Sequence, residues 1–536
     1  MIDFRSKRPL VAENRRWTRE ELSKVDVCLC WATSCDNCDA GQVISIDMLP
    51  DDVLLVIFDF CEDELQLSKK LLSAWKSLVQ VCRRWRSLVF GSPRRLNLRL
   101  VVTTKRFADT LDVWPPFPIV ILALSIGDED IGPIIAVLGH RDRVDEIHLW
   151  RTNVSKLKHF LAVMQEPFPE LTFLRLQSYE DTLPVVPDSF LGGSAPRLQK
   201  LMLDRIPFPG LPKLLLSATH LDNVQLSRIP HSGYISPDAV VTALSTLTSL
   251  KSFRLEFQSP LSHPDLESRR LLPSTRTVLP VLTHFSFKGV CDYLDVFVAR
   301  IGAPRLDVLS ISFFNDIVFD APQFIQFISR TPTLKAPEKA HVFFEDRAAR
   351  VNFSSQTSDH TVEISCRELD WQVSSLEQVC TSCLPTISTT EDLHIYPDPY
   401  SEPHWQDNIE DSLWLELLHP FIAVKNLYLS EEFAPLIVPA LQELVGDRTI
   451  EVLPILKNLF LEELRPSGPV HEGIGKFIVA RELSGLPITV FLRESSARRS
   501  IIDEVPLLYK HSTIIISSSQ LTTLRVVVSS SLIWSD

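Results

Sequence analysis

Glycine is scarce in this chain, with 16 in 536 residues against 37 prolines. That balance disfavours folds that hold a nucleotide on glycine turns and suits many short elements separated by rigid corners. Long apolar runs are missing too. A run such as Ile119 to Leu124, which none exceeds, falls far short of the roughly 20 residues needed to cross a bilayer. The N-terminal stretch MIDFRSKRPLVAENRRW holds no apolar segment of signal-peptide length. There is no basic excess, since 67 acidic residues outnumber 54 basic ones and give a formal net charge of -13. A surface built for phosphate backbones or anionic lipid is thereby disfavoured, and neither nucleic acid nor membrane is expected as a partner. Catalytic signatures are also lacking: there is no G-x-S-x-G elbow, Walker loop, H-E-x-x-H or G-x-G-x-x-G. The expectation is a protein that is not an enzyme and needs no cofactor.

Hydrophobic residues make up 45% and charged residues 23%, enough apolar surface to offset the entropy of ordering most of the chain. A length of 536 residues calls for several domains or one elongated array. The 10 cysteines, without a signal peptide, imply reduced thiols and a cytoplasmic or nuclear setting, in which the sequons at Asn153 and Asn352 carry no weight. Cys28, Cys30, Cys35 and Cys38 lie in a charged leader, residues 1–42. They could supply four thiolates, but structural zinc sites join two separated ligand pairs and the second pair is missing, so no metal is expected. Cys380 and Cys383 form a C-x-x-C without a readable thioredoxin-like context. Gly473-Ile474-Gly475-Lys476 lacks the length and hydroxyl of a phosphate loop and reads as a turn, while His140, His159, His404 and His471 read as surface or capping residues. Arg83, Arg84 and Arg86, with Arg94, Arg95 and Arg99, read as a solvated basic face.

Residues 43–95 are the most informative. Leu49-Pro50-Asp51-Asp52 places proline at a helix start with acids in the first turn, and Val53, Leu54, Ile57, Phe58 and Cys61 continue on one side. A second stripe, Leu71, Trp75, Leu78, Cys82, Trp85 and Val89, predicts one helix of five turns stopped by a left-handed glycine cap at Gly91-Ser92-Pro93. Periodicity by itself shows only a helical hairpin. The pattern Leu49-Pro50-Asp51-Asp52-Val53-Leu54 followed by Val81-Cys82-Arg83-Arg84-Trp85-Arg86 resembles the F-box, which begins with LP-x-E/D and ends with VCRRW. The stretch from Glu62 to Lys76 is longer than in the commonest F-boxes, and the whole of 47 to about 492 resembles a large family in mushroom-forming fungi. That resemblance implies docking on the Skp adaptor of a cullin-RING ubiquitin ligase through Leu49, Pro50, Val53, Leu54, Ile57, Val81 and Trp85, with an unknown target protein bound elsewhere. The alternative is a non-ligase scaffold or receptor in which the hairpin is a structural cap.

From residue 96 short x-L-x-L strands recur: 146–150, 173–177, 200–204, 223–227, 252–257, 284–288, 308–313, 392–396, 426–430 and 458–462. Leu149, Leu176, Leu203, Leu226, Leu255, Phe287 and Ile311 follow one another at steps of 27, 27, 23, 29, 32 and 24 residues, overlapping the leucine-rich-repeat range of roughly 20 to 29. Apolar stretches Val154 to Met164 and Ala239 to Leu247, between strands, have helical spacing. The expected fold class is α/β: a helical N-terminal unit, then an irregular leucine-rich-repeat-like solenoid with a parallel sheet over 96–492. Candidate strands 342–344, 351–353 and 361–365 predict a meander inserted in the array. Residues 493–536 form a serine-rich, β-prone tail, either a terminal cap or an unpaired segment. Target recognition is expected on the concave sheet, through His148, Arg175, Gln225, Arg254, His394 and Tyr428, the outward positions between committed leucines.

Overall fold

Apolar residues at every second strand position, with helical stretches between the strands, give a sheet backed by helices on one side. The computed structural model describes residues 46, 49–63, 74–92, 96, 98–102, 115–123, 127, 130–180, 185–260, 276–314, 321–334, 337–355, 358–383, 385–398, 409–444, 451–462, 469–493 and 513–516. The leader cysteines, Leu71 and His404 lie outside them.

Three helices open the described chain: α1 (Asp51–Asp63), α2 (Ala74–Val81) and α3 (Arg83–Gly91). The single five-turn helix is therefore corrected to two. Cys82 takes an extended conformation, φ -154° and ψ 171°, and its Sγ accepts from the Trp85 N–H, so the thiol caps α3 where the stripe had suggested continuity. Gly91 is the last residue of α3 and is not among the positive-φ residues, so the predicted left-handed cap is not formed.

The solenoid strands are β1 (Leu100–Val102), β2 (Ile119–Ala123), β3 (Val144–Thr152), β4 (Phe173–Ser178), β5 (Lys200–Asp204), β6 (Asn223–Ile229) and β7 (Ser252–Phe257). A small side pair, β8 (Thr277–Val278) and β10 (Ile301–Gly302), brackets β9 (His284–Gly289). Then come β11 (Val308–Phe314), β12 (Lys339–Phe344), β13 (Ala349–Ser354), β14 (Asp359–Ser365), β15 (Asp392–Pro397), β16 (Asn426–Leu429), β17 (Asn458–Glu462), β18 (Thr489–Arg493) and β19 (Thr513–Ile516). Their pairings make one 17-stranded sheet, in the order β1-β2-β3-β4-β5-β6-β7-β9-β11-β14-β13-β12-β15-β16-β17-β18-β19. Every pairing is parallel except those made by β13 and β19.

The equivalence of Leu149, Leu176, Leu203, Leu226, Leu255, Phe287 and Ile311 is a register fact: each is the cross-strand partner of the next. All seven are buried and share one core with helix residues such as Leu157, Phe160, Val240 and Phe297. Just before the strands, a backbone N–H of Thr172, Gln199, Asp222, Lys251, Thr283 and Asp307 reaches the carbonyl of its counterpart one repeat earlier, at 2.8–2.9 Å. Glu391, Lys425, Lys457 and Thr489 repeat the pattern at 2.8–3.0 Å. Irregular repeat length is thus absorbed in the helices and loops, while the strands keep register.

Helices α4 (Ile131–Leu138), α5 (Val154–Val163), α6 (Leu211–Ser217), α7 (Pro237–Leu244), α8 (Cys291–Ala299), α9 (Pro322–Arg330), α10 (Leu369–Gln378), α11 (Asp411–Leu418), α12 (Ala434–Gln442) and α13 (Pro469–Leu483) connect the strands. Asn153 caps α5 by accepting from the Lys156 N–H at 2.9 Å, and Ser236 with Pro237 starts α7. Gly473 and Gly475 lie inside α13, which corrects the predicted turn. A Cβ at Gly473 would meet Gln442 and Val438 of α12, so this glycine serves helix–helix contact.

The inserted meander occupies β12, β13 and β14, in reversed spatial order. From β11 the chain crosses through α9 to β12, returns through β13 to β14 beside β11, and crosses again through α10 to β15 beside β12. Two reversals leave β12 and β14 pointing the same way, so the parallel array continues beyond the insertion. In the tail, residues 513–516 cover the free edge of β18 as an antiparallel strand.

Candidate functional site

On the sheet face opposite the helices, the middle outward residues form one cross-strand row. Residue by residue it reads Leu122, His148, Arg175, Met202, Gln225, Arg254, Ser286, Ser310, Thr361, Asn352, His341, His394, Tyr428, Phe460 and Phe491. All six sequence-derived positions lie in this row but in two groups. Six strand spacings, about 29 Å, separate Arg254 from His394.

The first group is charged and internally engaged. His148 Nε2 lies 2.9 Å from Glu146 and its ring stacks on Phe173 at 4.3 Å. Burial alone would raise the Glu146 carboxyl, but the His148 hydrogen bond and the Arg99 charge together hold it below the ordinary carboxylate value. The Arg175 guanidinium sits 3.4 Å from the centre of the Trp150 ring, and burial lowers its pKa against the opposing charge of Asp204. Asp204 also receives Arg228 Nε at 2.7 Å, and that hydrogen bond raises the Arg228 pKa. Arg254, with its side chain 47% exposed, lies 3.6 Å from Glu256. Arg151, Arg205 and Arg228, each two residues beyond an inward leucine, have φ of 49°, 60° and 51°. This is strained backbone for a non-glycine residue, recurring where β3, β5 and β6 end.

The second group is aromatic. His341, His394, Tyr428, Phe460 and Phe491 stack successively at 4.3, 4.0, 4.3 and 4.7 Å, with planes 13°, 5°, 7° and 11° apart. His394 Nδ1 is 3.0 Å from the Tyr396 hydroxyl, and Phe343 and Tyr396 sit 6.4 Å apart in the neighbouring row. Burial, helped by the Lys339 charge, lowers the His341 pKa and favours the neutral ring. On the other flank Asn458 donates to Asn426 at 2.7 Å, and Asn426 to Asp392 at 2.6 Å. Sequence reasoning missed His341, Phe460 and Phe491. The middle position of Asn458-Leu459-Phe460-Leu461-Glu462 would have pointed to Phe460. His341 stands one residue ahead of the predicted strand start.

In the N-terminal unit, Arg84 joins α3 to the start of α1, with Nε 3.0 Å from Asp51 Oδ1 and a terminal nitrogen 2.6 Å from the Leu49 carbonyl. Trp85 packs on Phe58 at 4.7 Å. Pro50 is exposed, Val53 is 38% and Val81 60% exposed, and Leu49, Ile57 and Trp85 are half-buried. Leu54 is fully buried at 0%, which corrects its assignment to a docking surface: it belongs to the core. Among the described residues no cluster of three or more His, Cys, Asp or Glu side chains could hold a metal, and no helix is long and apolar enough to cross a membrane.

No family model and no curated protein matches the chain. Among solved structures, the leucine-rich repeat-containing protein LegL7 from Legionella pneumophila aligns with 66% of this chain and 96% of its own, at 11% identity and a TM-score of 0.26. The solenoid is established by the strand register, and that alignment adds no argument to it.

Proposed function

We propose that the chain is a non-catalytic substrate-recognition adaptor of a Skp-cullin-F-box ubiquitin ligase, docking the Skp adaptor through its N-terminal helices and a target protein through its open sheet face. The observation that carries this reading is the pairing of Leu49-Pro50-Asp51-Asp52 with Val81-Cys82-Arg83-Arg84-Trp85 in one helical unit, with Pro50, Val53 and Val81 turned to solvent. Apolar side chains exposed on short helices are stabilised by a partner. The partners are proteins, with no nucleic acid or membrane lipid among them.

A second reading, a scaffold in which the helices cap the solenoid, is favoured by one contact set: Leu54, Phe58 and Val89 share a continuous core with Leu98 and Leu100 of the first strand region. Co-purification with the Skp adaptor separates the two. Leu49→Ala with Pro50→Ala is expected to abolish capture of the adaptor while the solenoid stays folded by circular dichroism. Equal capture by the double variant and the wild type would sink the ligase reading.

A further inference from the structure

Most charges on β3 to β6 are answered within the open face. Glu146 is held by His148 and Arg99, and Asp204 by Arg228. Three cations are not. Among the described residues the side chains of Arg151, Arg175 and Lys200 make no hydrogen bond or ion pair. They stand on three neighbouring strands: Arg175 pairs across with His148, three residues before Arg151, and lies two residues beyond Phe173, the partner of Lys200. The line from Arg151 to Lys200 crosses the sheet diagonally over roughly 20 Å. In a chain of net charge -13 this is a local reversal of sign.

Arg175 is the fixed member of the three. Its guanidinium lies 3.4 Å from the centre of the Trp150 ring. Stacking restrains the plane of the group and covers one face of it, while its N–H donors leave from the edges, and none of them is used within the described residues. Burial outweighs the pull of Asp204 and lowers its pKa, so the cation is undercompensated where it stands.

Arg151 is the costly member. The other positive-φ residues include Leu191 and Leu453, both buried in the core, where packing offsets the strain. Arg151, at φ 49°, is exposed and has no contact to offset it. Glycine would hold the same backbone at less cost, so the local fold gives no reason for an arginine.

The edge of a guanidinium receives two oxygens of one group, which carboxylate and phosphate both offer. The surroundings separate them. Asp204, close enough to act on the Arg175 charge, and Glu146, two residues before the partner His148, repel a phosphate dianion more than a carboxylate with its single charge. Three cations spread over this distance answer several carboxylates along a chain better than one small acid.

We infer that Arg151, Arg175 and Lys200 bind an acidic segment, rich in Glu or Asp, of a partner protein. This rests on the reading of the open face as the target-binding surface, and it names the class of target segment. The probe is a fluorescent Gly-Ser peptide with Glu at every third position, titrated with the full chain by anisotropy at low ionic strength, where the attraction is least screened. Peptides with Gln or phosphoserine at the same positions are compared. The Glu peptide is expected to bind, the phosphoserine peptide more weakly and the Gln peptide not at all. Arg175→Gln should lose about tenfold in affinity, and Arg175→Lys, which keeps the charge but not the fork or the stacking, most of that. Arg151→Gly should lose about threefold without lowering the denaturant midpoint. Arg347→Gln, at an exposed arginine beside Asp346 in the turn between β12 and β13, should change nothing. Absence of binding by the Glu peptide, binding as tight by either comparison peptide, full binding by both Arg175 variants, or an equal loss with Arg347→Gln would each overturn the assignment. A lowered midpoint for Arg151→Gly would make that arginine structural and remove it from the site. Capture of the Skp adaptor by the Arg175 variants reads the N-terminal helices separately, so failure there and failure here are distinguishable.

Discussion

The two ends of the sheet are built on the same inward ladder and present opposite chemistry outward. From β3 to β9 the middle row and its neighbours carry charges that pair locally, as in His148 with Glu146, Arg228 with Asp204 and Arg254 with Glu256. From β12 to β18 the same row becomes five stacked rings. Inward positions are filled mostly by leucine, isoleucine, valine and phenylalanine, as close packing requires. Outward positions carry no such constraint, which is how one scaffold holds two surfaces. The reversed meander lies between them and preserves the parallel register needed to continue the array.

If the inward ladder is common to both regions, breaking it should cost far more than altering either outward surface. Phe287→Ala, at a position 1% exposed, is expected to destabilise its repeat and neighbours by about 3–5 kcal/mol. Hydrogen exchange should show lost protection centred on β7, β9 and β11. Unchanged protection there would mean the ladder is not the shared source of stability.

The join between the regions holds a pH-sensitive element. His360 of β14 points into the core at 3% exposure, and neither ring nitrogen has a hydrogen-bond partner. Burial lowers its pKa to about 4. The unfolded chain, with an ordinary value of about 6.5, takes up the proton first. Stability is therefore full above about pH 6.5 and falls as pH drops toward about 4, by roughly 3 kcal/mol from this group. Denaturant midpoints of the wild type at pH 7 and pH 4.5 should differ more than those of His360→Leu. Equal differences would remove His360 as the cause.

Smaller effects distinguish the outward surfaces. Phe460→Ala should lose about 1 kcal/mol of stacking and contact, with little dependence on salt. Arg228→Ala, whose partnership with Asp204 is half-exposed, should lose less than about 1 kcal/mol, and high salt should reduce even that. Denaturant titrations at two ionic strengths check both. A strong salt dependence at Phe460 would contradict the contrast between the regions.

Much of this was legible in the sequence because a strand with one buried face writes its period directly. The ten x-L-x-L segments and the three meander strands each fall on an observed strand. The reversed order of the meander left no local trace, since hairpins and crossovers both satisfy the same alternation. The five-turn stripe through Cys82 misled because apolar spacing survives a cap that interrupts the backbone. Gly473 read as a turn because close helix contact and tight turns both demand the absence of a Cβ. Of the candidate site, His148, Arg175, Gln225, Arg254, His394 and Tyr428 were readable as outward positions. Their division into two surfaces depends on which strands become neighbours, and β12 reaches β15 only through the reversed meander.

The proposed function requires two separate protein-docking surfaces, one on the N-terminal helices and one on the sheet. It is tested most directly by hydrogen exchange of the full chain with and without the purified Skp adaptor. The predicted result is new protection confined to the N-terminal helices, around Leu49 to Ile57 and Val81 to Trp85, with β12 to β18 unchanged. Protection appearing on the sheet instead, or none anywhere at saturating adaptor, would contradict it.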